Sequence, residues 1–70
     1  MRFIDKHVTE YENIGLRVQP DPERRGARGA VYGWQVVEMV PSEPVVFDAI
    51  DRVACSGFCN GVAFARGVEA

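Results

Sequence analysis

Eleven consecutive residues, Ala30-Val-Tyr-Gly-Trp-Gln-Val-Val-Glu-Met-Val40, constrain this chain more than any other stretch, because they form its longest apolar run and hold its single tryptophan. Read at the period of a strand, Tyr32, Trp34, Val36, Glu38 and Val40 fall on one face and Val31, Gly33, Gln35, Val37 and Met39 on the other. Both faces are largely apolar. A strand wetted on one side alternates apolar with polar residues, whereas burial on both sides gives such a near-continuous run. The pattern therefore predicts a central strand with one face on the core and a second face that something must cover.

Length sets how hard that covering is. The 70 residues read as a single domain, 1–70, and a chain of this size buries only about 60% of its unfolded surface, so its stability is marginal. Small domains gain support from disulfides, a metal or oligomerisation. Two cysteines are too few for a secreted disulfide framework and point to a reducing, cytoplasmic setting. Arg2, Asp5, Lys6, Glu10 and Glu12 leave no apolar signal-peptide core near the start, and no stretch approaches the length of a membrane span, so a soluble protein without membrane contact is expected.

Before the central strand, Ile14, Leu16 and Val18 alternate with Asn13, Gly15, Arg17 and Gln19, the pattern of a half-buried strand. Arg2 to Val8 is read as an earlier strand, although Phe3, His7 and Tyr11 also fit a helical spacing. Between the second and third strands, Gln19-Pro-Asp-Pro-Glu-Arg-Arg-Gly-Ala-Arg-Gly29 carries two prolines and two glycines and no apolar residue larger than alanine, which predicts an exposed loop at the tip of a long hairpin. After the third strand, Pro41-Ser-Glu-Pro44 reads as a helix start with Ser42 as N-cap, followed by Val46, Phe47, Ile50, Val53 and Ala54 at helical spacing and Gly57 as the stop. Asn60-Gly61 then suggests a turn into a short strand, Val62–Arg66, with a helix continuing through Phe64 as the alternative. The expected fold is α+β: a small single-layer antiparallel sheet of three or four strands, with a long hairpin between the second and third, packed on one helix in the order β-β-β-α-(β).

No motif in this chain fixes a reaction. Cys55 and Cys59 share a helical face, but tetrahedral zinc needs four ligands and only His7 remains as a nitrogen donor, so two small buried hydrophobes are the expectation, with a two-cysteine, one-histidine site completed by a carboxylate or water, or a reversible disulfide, as the alternatives. His7 has no nucleophile or elbow motif around it, and Asp48 and Asp51 read as a solvated helix face. Neither a cofactor, a metal nor an enzymatic activity is expected.

Charge is more telling. Net charge is −2, which argues against a dedicated nucleic-acid binder. Arg24, Arg25 and Arg28 nevertheless put three positive charges into one hexapeptide, a basic spot on an acidic body. Arginine is favoured where carboxylates or phosphates are held bidentately, and Trp, Tyr and Arg dominate binding hot spots. Arg24, Arg25, Arg28, Tyr32 and Trp34 are therefore the expected partner-binding residues. The expected function is a non-catalytic protein-binding module, of the inhibitor or adaptor kind carried by phage and other mobile elements, docking on a larger protein or nucleoprotein through its sheet face and arginine loop, or pairing as a homodimer through the sheet. The alternative is nucleic-acid binding, with the arginine hairpin on phosphates and Tyr32 or Trp34 stacked on a base.

Overall fold

The two alternating segments around the loop do pair. In the computed structural model, which describes residues 1–70, β3 (Leu16–Pro20) lies antiparallel to β4 (Trp34–Glu38), with Val18 opposite Val36 and Pro20 opposite Trp34. Three further strands complete the sheet: β1 (Arg2–Phe3), β2 (Thr9–Tyr11) and β5 (Val45–Ala49). The five strands run in sequence order, each antiparallel to its chain neighbour, and α1 (Arg52–Arg66) packs across the meander.

The core lies between α1 and one face of the sheet. Val18, Val36, Cys55 and Cys59 are fully buried there, with Tyr11, Ile14, Leu16 and Ala63 around them. Cys55, Cys59 and Ala63 recur every four residues and so form one seam along the helix. All three side chains are small. The helix backbone is thereby brought close to Val18 and Val36, while the larger Phe58 and Val62 flank the seam and Phe58 stacks on Phe47 of β5 at 4.6 Å.

The second half of the chain differs from its sequence reading. Residues 45–49 form β5 and not a helix: Val45, Val46 and Phe47 suit an extended chain, and pairing with β4 outweighs their accidental helical spacing. Ser42 caps nothing, since it lies in the Val40–Glu43 turn, closed by the Glu43 N–H on the Val40 carbonyl at 2.9 Å, with Glu43 at φ 46°. The true N-cap is Asp51, whose carboxylate accepts from the Val53 N–H at 2.8 Å. The helix continues through Gly57 and Gly61 and replaces the expected strand Val62–Arg66. Gly67 ends it at φ 70°, and the Val68 N–H returns to the Ala63 carbonyl at 3.0 Å. Two interior glycines cost roughly 1 kcal/mol each relative to alanine, a cost outweighed by packing of the Cys55–Cys59–Ala63 seam.

The opposite face of the sheet is also closed from within. Val37 is only 1% exposed, which agrees with two-sided burial of the central strand. Its ladder neighbours are Arg17 and Val45, and the Arg17 guanidinium reaches Gln19, Glu10 and Glu43. Glu10, Arg17, Gln19, Gln35 and Asp48 make this face polar, so the large uncovered apolar sheet face expected from the sequence does not form.

The seam predicts that size matters at Cys59 more than chemistry. Cys59→Leu is expected to lower stability by about 1–3 kcal/mol through overpacking, whereas Cys59→Ala costs less. Urea midpoints of the two variants check the order.

Candidate functional site: the arginine hairpin

The arginine loop is built as an extension of the β3–β4 ladder. Beyond Pro20 and Trp34 the Asp21 N–H donates to the Gly33 carbonyl at 2.9 Å, the Tyr32 N–H to Arg24 at 2.7 Å, and the Gly26 N–H to Ala30 at 2.8 Å. Arg25 and Val31 face each other in an antiparallel bridge. Asp21 shapes the entry, since its Oδ1 accepts from the Glu23 N–H at 2.9 Å and its carbonyl accepts from the Arg24 N–H at 3.0 Å. The two prolines thus punctuate an ordered hairpin arm and do not mark a structureless loop.

Close packing across the arm explains two glycines. The Tyr32 ring lies over Gly26, and the aliphatic stem of Arg24 lies over Gly33, so a Cβ at either position would collide with those side chains. At the tip Arg28 takes a left-handed conformation, φ 59°, next to Gly29 at φ 77°.

The five expected partner-binding residues therefore divide. Arg25 and Arg28 are exposed and make no ion pair, and Tyr32 presents its ring at 64% exposure on the same arm. Arg24 is turned back, with its Nε 3.6 Å from Asp21. Trp34 belongs to the fold. It sits half-buried against the core, with the Arg52 guanidinium 5.2 Å from its ring and His7 at 5.9 Å. Tyr32 and Trp34, two residues apart, thus differ in role: Tyr32 is exposed on the arm and Trp34 is half-buried against the core.

Arg52 is a structural residue that the sequence did not single out. From the first turn of α1 it donates to the Lys6 carbonyl at 2.8 Å and to Thr9 Oγ1 at 2.9 Å while covering Trp34. The helix start, the β1–β2 turn, β2 and β4 are tied together by one guanidinium. The sequence reading set Asp51 on a solvated helix face and the N-cap at Ser42, so nothing in it pointed to this role for Arg52.

The cysteines and the histidine are not assembled into a centre. No three His, Cys, Asp or Glu side chains gather as a metal-binding group. Both thiols are free and fully buried. Burial pushes Cys59 up to about 11, with Cys55 beside it adding to the effect, and burial followed by Asp48 and Asp51 also raises Cys55. The one surface depression is lined by Val45, Val46, Phe47 and Asp48 on β5. No helix is long and apolar enough to cross a membrane. Compared with protein-family models, curated proteins and solved structures, the chain matches none of them.

Two outcomes follow from these placements. Trp34→Ala is expected to cost about 2–3 kcal/mol, somewhat under the ~3–5 kcal/mol of a fully buried tryptophan, and so to appear in thermal melts as a stability defect. The thiols set an alkaline limit. Cys59 ionises near 9.0 when unfolded and about 11 when folded, so its contribution is complete below pH 9 and is lost as pH rises towards 11. Melting temperatures between pH 8 and 11 should fall more steeply for the native chain than for Cys59→Ala.

Proposed function

We propose that this chain is a non-catalytic protein-binding module, acting as an adaptor or inhibitor, that docks on an acidic surface of a larger protein or nucleoprotein through Arg25, Arg28 and Tyr32. The observation that carries this reading is the ordered hairpin arm, which holds two unpaired guanidiniums and an exposed aromatic ring on a ladder of backbone hydrogen bonds. Preorganisation matters here, because a rigid arm loses less conformational freedom on binding than a flexible loop. The remaining residues of the chain sum to an acidic body, so the attraction is local to the arm and orients the encounter. A cytoplasmic setting fits the two free thiols.

The second reading, binding to nucleic acid, is favoured by the same guanidiniums and by Tyr32 as a stacking ring. It is narrower than the sequence suggested, since Trp34 is occupied by Arg52 and His7. A homodimer through the broad face of the sheet is not favoured, because Glu10, Arg17, Gln19, Gln35 and Asp48 make that face polar.

Capture experiments with the native chain and with an Arg25→Ala, Arg28→Ala, Tyr32→Ala variant test the proposal. Hot-spot residues each contribute more than about 1 kcal/mol, so affinity for a captured protein should fall roughly 100-fold in the triple variant, with unchanged circular dichroism. Equal affinity of the two would remove the hairpin from the interface. Binding to single-stranded or duplex DNA or RNA whose log-log salt slope drops in the variant would transfer the site to the nucleic-acid reading.

A further inference from the structure

The sheet ends differently on its two sides. At one edge β1 is two residues long, and a very short edge strand leaves little ladder for another chain to extend. At the other edge β5 runs for five residues, Val45-Val-Phe-Asp-Ala49, with no lysine or proline within it. No strand lies beyond it in the sheet order, and Val45–Asp48 make no backbone hydrogen bond outside the sheet's own ladder. The N–H and C=O groups that point away from β4 therefore have no partner within the chain. What completes such a row is another extended backbone, which supplies donors and acceptors at the same spacing.

Side chains at this edge suit such a guest. The β4–β5 register shifts between Val36 and Val37, which leaves Val46 as the extra residue of a bulge. Bulges re-aim side chains at sheet edges, and Val45, Val46, Phe47 and Asp48 line the one surface depression of the molecule, of about 450 Å³. Val45 and Val46 are 51% and 40% exposed there. In strand addition the main chain supplies affinity and a depression beside the edge takes alternate side chains, so apolar residues at every second position fit this one.

Charge says what else the guest carries. Asp48 and Asp51, at the end of β5 and just beyond it, are exposed and take part in no ion pair. Arg52, the cation next to them in the chain, is committed to Lys6, Thr9 and Trp34. This end of the edge is thus negative and complements Lys or Arg flanking the apolar residues. A second β5 would bring the same two carboxylates and no free cation, so self-pairing sets acid against acid.

We propose that the edge of β5 is a strand-addition site for an extended segment of another protein, with alternating apolar residues and a flanking Lys or Arg. The hairpin arm is a separate surface, and the two stand or fall independently.

The probes are two end-capped heptapeptides of alternating Val and Thr, one closed by Lys at both ends and one by Glu. Titrated into the isotopically labelled native chain up to about 1 mM, the weak end of specific binding, the Lys peptide should shift the amides of residues 45–49 and slow their hydrogen exchange. It should bind about tenfold tighter than the Glu peptide, and Asp48→Asn should narrow that gap. Of two Lys peptides N-methylated at alternate residues, one in each phase, the one that loses the donors facing β5 should bind about tenfold more weakly while the other binds unchanged. Val46→Lys, at an exposed position, should weaken binding by about the same factor with unchanged circular dichroism, since lysine guards natural edges. The Arg25, Arg28 and Tyr32 triple variant should bind the Lys peptide as the native chain does, which separates this result from the fate of the hairpin reading. No binding of the Lys peptide, equal binding of both N-methylated forms, or amide shifts confined to other elements overturns the proposal. So does a peptide-free chain with twice the 7.8 kDa mass and residues 45–49 already protected, which would give the edge to a second copy.

Discussion

How closely α1 can lie on the sheet decides almost everything else in this molecule. The approach is set by Cys55, Cys59 and Ala63, three small side chains in one row against Val18 and Val36. Interiors pack as densely as organic crystals, and a domain this small has few other buried contacts to draw on. Arg52 then fixes the helix at one end by reaching Lys6, Thr9 and Trp34, and Arg66 fixes it at the other through the Ile14 carbonyl. Both cations of the helix are committed to the fold. The same economy that secures the inner side strips the outer side of charge.

The sheet's other face shows a different solution to burial. Val37 is sealed beside Arg17, whose charge is met by Glu10 and Glu43, so apolar and ionic neighbours alternate across the ladder. Long side chains of this type cover apolar surface with their stems while their heads stay in water. The hairpin arm uses the device again, with the Arg24 stem on Gly33 and its head near Asp21. On the arm itself, what remains free for a partner is therefore a small set of groups, Arg25, Arg28 and Tyr32.

The α+β class, the long hairpin and the two-sided burial at Val36 and Val37 were legible because strand alternation is a local property of Leu16–Val18 and Trp34–Val37. The residues after Pro41 were not. Val46, Phe47, Ile50, Val53 and Ala54 carry a helical period by coincidence, and what makes 45–49 a strand is the vacant edge of β4, a neighbour that only the folded chain supplies. Gly57 and Gly61 read as breaks for the same reason: the packing that outweighs them is contributed by Val18 and Val36, far away in sequence. In the candidate site, the arginines and Tyr32 were legible as residue types, whereas the sorting of Arg24 and Trp34 into structural roles depends on Asp21, Gly33 and Arg52 lying next to them.

Strand order following chain order has a kinetic meaning. Each strand after β1 pairs with the one just before it, so the sheet is assembled by short loop closures that lower contact order and favour rapid formation. The helix that completes the core follows all of them in the sequence. The side of the sheet bearing Leu16, Val18 and Val36 is sheltered only by Cys55, Cys59 and Ala63 of that last element. Strand pairing alone therefore leaves the core face open until α1 docks. With α1 undocked, the edge of β5 and the uncovered valines are the surfaces open to association with other chains.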